Sequence, residues 1–269
     1  MGILFKSRKT EREMKEKRKV IITKMERLTA DICSMWVEEK QMAEFAKAGQ
    51  FVSFYSDSAE KILPRPISIC EIEKEKGMLH FVFRIVGSGT EEFSKKKAGD
   101  TISILGPLGN GFTLEGEHTL LFGGGIGIPP MLELAKGLSV SSKVQVILGY
   151  RDSRLFLKEE FEKYAEVFVA TEDGSVGVKG NVLDVITSYH LTGDRIFACG
   201  PKPMLHAIKI FAQKNGIPAQ LSMEERMACG IGACLACVCE SKEIDNHSYV
   251  KNKRVCKDGP VFFADEIEL

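Results

Sequence analysis

Two hydrophobic rhythms run along this chain. The first consists of short apolar stretches at residues 20–23, 31–37, 50–55, 79–86 and 101–105, separated by turn-forming residues. Several alternate apolar and polar side chains with a period of two, as strands buried on one face do. Gly106-Pro107 and Gly109-Asn110-Gly111 close the series with strand-breaking residues. This pattern predicts a small antiparallel β-barrel over residues 19–114.

After Glu115 the rhythm becomes strand, helix, strand. Residues 119–122 precede the run Gly123-Gly124-Gly125-Ile126-Gly127 and a helical stretch starting at Met131. Strands over 144–148, 167–170 and 195–198 are separated by helical segments over 158–164, 182–188 and 203–214. Such alternation predicts a doubly wound parallel sheet over 115–216. Beyond Ile217 the periodicity fades and cysteines accumulate, which predicts a small C-terminal domain over 217–269 organised by a metal cluster. Residues 1–18 form a charged leader rich in Lys, Arg and Glu. The expected fold class is multidomain β plus α/β: an N-terminal antiparallel β-barrel, a doubly wound parallel-sheet domain and a small C-terminal domain that carries the cysteines.

The cysteines carry the strongest chemical signal. Cys229-x4-Cys234-x2-Cys237, with Cys256 remote, fits the plant-type spacing of a [2Fe–2S] cluster held by four thiolates. Gly230, Gly232, Ala233 and Ala236 let the backbone wrap an inorganic core and bring amides near its sulfurs. Cys239 would spoil the spacing and reads as a structural thiol. A disulfide framework belongs to oxidising compartments, and the chain shows no secretion signal. Zinc is the alternative, although its usual sites repeat a C-x2–4-C pair that is missing here.

The glycine run from Gly123 to Gly127 lies between a strand and a helix, where backbone amides and the helix N-terminus can hold a phosphate. Strict G-x-G-x-x-G fails, because Pro130 is the sixth residue from Gly125. Its place at the first strand of the α/β unit nevertheless predicts a dinucleotide site at Gly123, Gly124, Gly125 and Gly127. Cys199-Gly200-Pro201 follows the last predicted strand and should face the same crevice. Asp152 is placed to accept from a ribose hydroxyl, favouring NAD, while Arg151 and Arg154 beside it suit a 2′-phosphate instead. In the barrel, the Arg65 fork of Arg65-Pro66-Ile67-Ser68 suits a pyrophosphate and the Ser68 hydroxyl a flavin ring. Gly87-Ser88-Gly89-Thr90 offers a second phosphate-compatible turn. Taken singly, both are also ordinary loop chemistry.

Composition excludes more than it assigns. The 269 residues allow two domains plus an appendage, and 44% hydrophobic with 28% charged residues is ordinary for a globular protein. Lys plus Arg equals Asp plus Glu at 37 each, so nothing suggests nucleic acid. No apolar run nears the roughly 20 residues needed to span a bilayer. Lys6 sits where a myristoylation motif needs Ser or Thr. The cytoplasm is the expected location. His80, His118, His190, His206 and His247 are dispersed, with no Ser–His–acid order. Glu224-Glu225 before Arg226 is expected to orient the cysteine loop.

A barrel with Arg-x-x-Ser followed by a sheet with Gly-Gly-Gly-Ile-Gly and Cys-Gly-Pro resembles the ferredoxin–NADP reductase superfamily. With Met223-Glu-Glu-Arg-Met-Ala-Cys229 and Val255-Cys256-Lys-Asp-Gly-Pro260 added, the chain resembles the electron-transfer subunits of class 1B dihydroorotate dehydrogenase. That resemblance implies FAD against Arg65, Pro66, Ile67, Ser68, Val82, Phe83, Arg84, Gly89 and Thr90. It implies a [2Fe–2S] cluster on Cys229, Cys234, Cys237 and Cys256, and NAD across the Gly123–Gly127 turn and Cys199-Gly200-Pro201. It further implies an FMN-containing dihydroorotate-oxidising partner, in a heterotetramer with two copies of each subunit, serving pyrimidine biosynthesis. No residue of this chain is then expected to oxidise dihydroorotate. Small-residue positions of the family are Ala228 and Ala236 here, and the 237–256 span carries a Lys/Asn-rich insertion. The alternatives are a flavin and iron–sulfur reductase subunit serving ferredoxin, sulfide or a bifurcating partner, and, from another class, a zinc-binding interaction module.

Overall fold

The structure is a computed structural model that describes residues 16–244 and 249–269. Most of the charged leader, and His247, lie outside the described residues.

Six strands close the barrel: β1 (Arg18–Arg27), β2 (Ile32–Glu38), β3 (Phe51–Tyr55), β4 (Arg65–Glu73), β5 (Met78–Arg84) and β6 (Thr101–Leu108), in the order β1-β2-β5-β4-β3-β6. Every pairing is antiparallel. Period-two alternation sends Ile22, Met35, Val52, Phe54, Ile69, Phe81 and Phe83 into the interior. Phe54 meets Phe81 and Phe93 edge-on, with centroids 4.9 and 5.7 Å apart, the geometry that aromatic quadrupoles favour. The short helix α1 (Lys40–Phe45) joins β2 to β3, and α2 (Ser88–Ser94) joins β5 to β6. β4 is absent from the sequence-based strand pattern. Pro64 and Pro66 lower its strand character, yet Pro66 costs little at the second residue of the strand.

The second domain alternates β7 (His118–Gly124), α3 (Pro130–Leu138), β8 (Lys143–Tyr150), α4 (Lys158–Phe161), β9 (Glu166–Thr171), β10 (Val178–Lys179), α5 (Val182–Tyr189), β11 (Arg195–Cys199), α6 (Lys202–Asn215) and β12 (Ala219–Ser222). The sheet order is β10-β9-β8-β7-β11-β12, followed by β15 (Val261–Phe263). The chain therefore winds outward from β7 in both directions, and the switch point lies between β7 and β11. Met131, Leu132, Leu138 and Phe161 cover one face of the sheet. Val182, Val185, Leu205 and Ile208 cover the other. α5 starts on a capping box, with Asn181 accepting from Leu183 N at 2.8 Å and Asp184 accepting from Asn181 N at 2.7 Å.

The last segment is woven into both neighbours. β13 (Val238–Glu240) and β14 (Asn252–Arg254) form their own ladder, while β15 pairs antiparallel with β12 and extends the sheet. The sheet thus draws two strands from beyond residue 216. Asn110, at the end of the barrel, donates from its backbone to Gly259 O at 2.6 Å and from Nδ2 to Lys257 O and Asp258 O at 3.2 and 3.0 Å. The Gly109-Asn110-Gly111 turn is therefore a clamp on the cysteine-bearing segment as well as a strand terminator.

Barrel and sheet are joined by side chains that stand in for missing backbone partners. Glu133 on α3 accepts from Ile72 N at 2.8 Å and Lys136 donates to Ile72 O at 2.9 Å. Gln220 on β12 exchanges two bonds with the backbone of Thr113, both 2.9 Å. Replacing Gln220 by Ala would remove both bonds, a loss of about 1–3 kcal/mol at about 0.5–1.5 kcal/mol each. Urea unfolding of Gln220→Ala is expected to show that loss at an unchanged m-value, whereas the exposed Gln213→Ala should unfold like the parent.

Candidate functional site

The cysteine loop turns on left-handed residues, Gly230 (φ 70°), Gly232 (φ 84°) and Leu235 (φ 57°). These turns aim successive amides at sulfur. Ile231 N and Ala233 N donate to Cys229 Sγ at 3.5 and 3.3 Å, and Gly232 N donates to Cys256 Sγ at 3.0 Å. Cys256 N donates to Cys237 Sγ at 3.4 Å. Of the four small residues singled out by sequence, Gly232 and Ala233 donate; Ile231 and Cys256 join them through backbone curvature that side-chain size does not reveal.

The thiols stand in two couples, Cys229 with Cys234 and Cys237 with Cys256. Two thiol couples joined by an amide-rich loop fit a two-iron core. Burial works to raise the Cys229 thiol, but the Ile231 amide, the Cys234 thiol and the Ala233 amide outweigh it and bring it down to about 7. The Cys256 thiol donates to Cys237 and brings it, against burial, down to about 6, while Cys256 is pushed up in return. Cys239 differs: burial, then the charge of Glu225, pushes its thiol up to about 11.

Arg254, which sequence reasoning missed, holds the loop to the Cys256 segment. It is buried, donates to Gly232 O at 3.2 Å, and pairs with Asp258 at 3.0 and 3.2 Å. The loop has two faces. Gly230 and Gly232 are buried against the protein, while Cys234, Ile231 (52%) and Leu235 (38%) face outward. On the inner side a side-chain carbon at Gly230 would lie 2.8 Å from Ser53 Oγ on β3. Tyr55, two residues along, has its phenol raised by burial and then by the negative charge of Cys229.

β4 brings its arginine to the second predicted turn. A side-chain carbon at Gly89 would lie 2.7 Å from Arg65 Nε, so only glycine lets the guanidinium settle there. The Arg65 fork also donates to Leu63 O and Pro64 O. The loop leading into Arg65 is tied down by Glu92, which accepts from Ser56 Oγ at 2.5 Å, Asp57 N at 2.9 Å and Lys61 Nζ at 2.7 Å. Pro66 and Ser68 lie on the outer, half-buried face of β4. Ile67 and Phe83 point their side chains into the barrel interior, so a cofactor outside it would meet them only through their backbone. Thr90 Oγ1 is spent on capping: it accepts from Val86 N and Gly87 N at 3.0 and 3.2 Å and donates to Gly87 O at 3.0 Å. Val82 is buried in the core shared with Ile128. Arg84 pairs with Asp31 at 3.2 Å and reaches toward Gly125, where a side-chain carbon would lie 3.7 Å from Nη2.

At the switch point, Cys199 is in register with Gly123. A side-chain carbon at Gly127 would meet Cys199 O at 2.4 Å, and one at Gly124 would meet Met204 Sδ at 2.5 Å. These two glycines seat the turn against Cys199-Gly200-Pro201. Gly125 (φ 53°) has the most room of the run, the nearest atom to an added side-chain carbon being Arg84 Nη2 at 3.7 Å. The buried Cys199 thiol is pushed up to about 12 by burial, against a hydrogen bond from Ser222. Arg154 holds Asp152 in a bidentate pair, with Nε–Oδ1 2.9 Å and Nη2–Oδ2 2.6 Å, and its hydrogen bonds keep that carboxyl at about 2. Glu225 pairs with Lys202 at the start of α6, tying the approach to the cysteine loop to the nucleotide crevice.

These residues fit three groups: a two-iron cluster on the cysteines, a diphosphate-bearing flavin along Arg65 and Gly89, and a dinucleotide at the β7–β11 crevice. The proteins this chain is similar to are NAD-linked electron transfer subunits with an iron–sulfur domain. Residues 224–268 match the family model described as the iron–sulfur cluster binding domain of dihydroorotate dehydrogenase B. The chain is similar to the dihydroorotate dehydrogenase B (NAD(+)) electron transfer subunit of Bacillus caldolyticus, with 46% identity over 84% of this chain and 88% of the relative. It is similar to the same subunit of Caldanaerobacter subterraneus subsp. tengcongensis, with 41% identity over 94% and 99%. A chain of the solved NADH-dependent reduced ferredoxin-NADP oxidoreductase, studied for flavin-based electron bifurcation, overlays with TM-score 0.83 at 29% identity, covering 93% of this chain and 89% of that one. The ferredoxin reductase of carbazole 1,9a-dioxygenase shares the fold, with TM-score 0.64 at 20% identity over 75% and 66%.

Two predictions follow from this geometry. Cys234→Ser should lose the iron–sulfur absorption and EPR signals while keeping bound flavin, whereas Cys239→Ser should keep both; an equal loss at Cys239 would reverse the ligand assignment. The second concerns Glu92, whose carboxyl has an ordinary value of 4.5 and is brought down to about 2 in the fold by bonds from Lys61, Ser56 and Asp57, against burial. A carboxyl lowered on folding stabilises above its unfolded value and ceases to as pH falls through its folded one. The stability gap between parent and Glu92→Gln, read by urea unfolding, is therefore expected at pH 6 and should close between about pH 4.5 and 2.

Proposed function

Because this chain belongs to the family of dihydroorotate dehydrogenase B electron transfer subunits, we propose that its outward cysteine loop is the port to an FMN-containing, dihydroorotate-oxidising partner. The protein is an NAD-linked oxidoreductase subunit that uses FAD and a [2Fe–2S] cluster in electron transfer for pyrimidine biosynthesis. When bound, the flavin supplies the exchange between two-electron hydride transfer with NAD and the one-electron steps of the cluster.

The chain's own residues do the placing. Arg65 brings a fixed positive fork beside Gly89, the arrangement that suits a diphosphate. Ser68 and Pro66 offer an outer strand face for the flavin ring, with the Ser68 hydroxyl able to donate or accept. Gly125 leaves the switch-point crevice open to a dinucleotide, while Cys199-Gly200-Pro201 walls its far side. Asp152 is positioned for a ribose hydroxyl, with Arg154 fixing its direction. Cys229, Cys234, Cys237 and Cys256 hold the cluster, and the loop amides stabilise negative charge on its sulfurs.

The observation that carries the proposal is the two-faced loop. Its buried side rests on the barrel beside the flavin strand, and its outer side displays Cys234, Leu235 and Ile231. Apolar residues around an exposed metal ligand suit a protein partner better than a small substrate. A heterotetramer with two copies of each subunit, working in the cytoplasm, completes the reading; no helix among the described residues is long and apolar enough to cross a membrane.

Leu235→Asp tests the port. The variant should retain flavin, cluster EPR signal and NADH oxidation by artificial acceptors. Affinity for the dihydroorotate-oxidising subunit should fall by tenfold or more, since a charge would then be buried in the contact, at a cost of about 1.4 kcal/mol or more. Co-purification of the parent chain with a different dehydrogenase, and none with a dihydroorotate-oxidising subunit, would refute the pairing.

A further inference from the structure

Ser53 is 1% exposed, and its hydroxyl has no hydrogen-bond partner in the protein. Folded proteins rarely leave a buried hydroxyl unpaired, because its lost hydration is then not replaced. The strand fixes where the group points. Val52 and Phe54 enter the barrel interior, so Phe51, Ser53 and Tyr55 leave on the outer side of β3. There, Phe51 and Tyr55 pack in the core that contains Cys237 and Cys256.

Two neighbours frame the hydroxyl. Across the ladder, Ser53 is paired with Pro66, within the Arg65–Ser68 stretch of β4. From the other side comes the cysteine loop: the space that a side chain on Gly230 would fill ends 2.8 Å from Ser53 Oγ. The opposite strand β6 is bulged here, its register shifting between the Phe51 and Ser53 pairs, and a bulge re-aims side chains and opens a ladder. Gly230 is itself buried, and it directly follows Cys229. An unpaired donor therefore stands between the flavin strand and a cluster ligand, with glycine as the residue that keeps the gap clear.

We infer that the Ser53 hydroxyl donates a hydrogen bond to a sulfur of the iron–sulfur centre and so holds its reduction potential up, toward that of the flavin. The physical basis is charge: reduction adds an electron to the centre, and donors to its sulfurs favour the more negative state. This rests on the reading that Cys229, Cys234, Cys237 and Cys256 carry a [2Fe–2S] cluster.

The test uses the assembled complex and reads potentials rather than turnover. Ser53→Ala is expected to keep its iron and sulfide content and to lower the cluster midpoint, followed by EPR during redox titration. The shift should correspond to a severalfold to tenfold change in the one-electron equilibrium, tenfold being about 59 mV. The flavin midpoint should stay in place, and Ser53→Thr should restore the cluster value. In the parent protein, exchange into deuterated water should remove a strongly coupled proton signal from pulsed EPR spectra of the reduced cluster. That signal should be missing in Ser53→Ala before exchange, which provides an independent readout. An unchanged cluster midpoint in Ser53→Ala with the cluster intact, or a shift of the flavin midpoint instead, would overturn the inference. A parent complex without any cluster signal would instead refute the [2Fe–2S] reading beneath it.

Discussion

The pairing of β15 with β12 is the constraint on which the site depends. Gln220, Leu221 and Ser222 face Phe263, Phe262 and Val261 across an antiparallel ladder, so the segment after Cys256 cannot move without disturbing the nucleotide sheet. The other side of that segment is held by Asn110 at the end of the barrel. The cysteine loop is thereby fixed relative to the barrel and to the switch-point crevice at once. Short fixed separations serve electron transfer as pre-organisation serves catalysis: the reorganisation has been met during folding. Glu133 and Lys136, which complete the edge of β4 through Ile72, bind the remaining pair of domains to each other.

Charge in the loop is handled locally. The chain carries no net charge, and nothing of long range favours a cluster of thiolates. Amides turned inward at Ile231, Gly232 and Ala233 do so instead, with Arg254 buried behind them. Left-handed glycines make that curvature inexpensive at Gly230 and Gly232, whereas Leu235 bears the strain of φ 57°. Such strain is tolerable where surrounding contacts over-determine the backbone, as ligand bonds from Cys234 and Cys237 would.

Spacing and period two made much of this legible. The barrel, the doubly wound sheet and the four-cysteine pattern all rest on local repeats that survive in a single sequence. Residues whose roles depend on long-range approach were hidden. β4 was obscured because Pro64 and Pro66 read locally as turn residues, and only the closed barrel reveals the strand. Gly124 and Gly127 read as ligand-facing, and the nearness of Met204 and Cys199 adds a packing role that the sequence could not show. Phe83 and Ile67 lie within the motifs with their side chains on the inner side of the pleat. Thr90 carries a suitable hydroxyl already used by its own loop. Arg254 and Lys202 could not be singled out, because nothing near them in sequence names Gly232 or Glu225 as a partner.

The unequal exposure of the four proposed ligands has a bearing on durability. Cys237 and Cys256 are both 2% exposed, while Cys234 is open to solvent. Dissolved oxygen and chelators thus reach one thiolate first, and oxidation of an accessible sulfur proceeds along a ladder whose later steps are irreversible. Decay of the centre would begin at the iron nearer the surface and leave the buried couple intact. A partner docked there, as proposed, would protect the cofactor as well as exchange electrons with it, and the unassembled subunit would be the chemically perishable form.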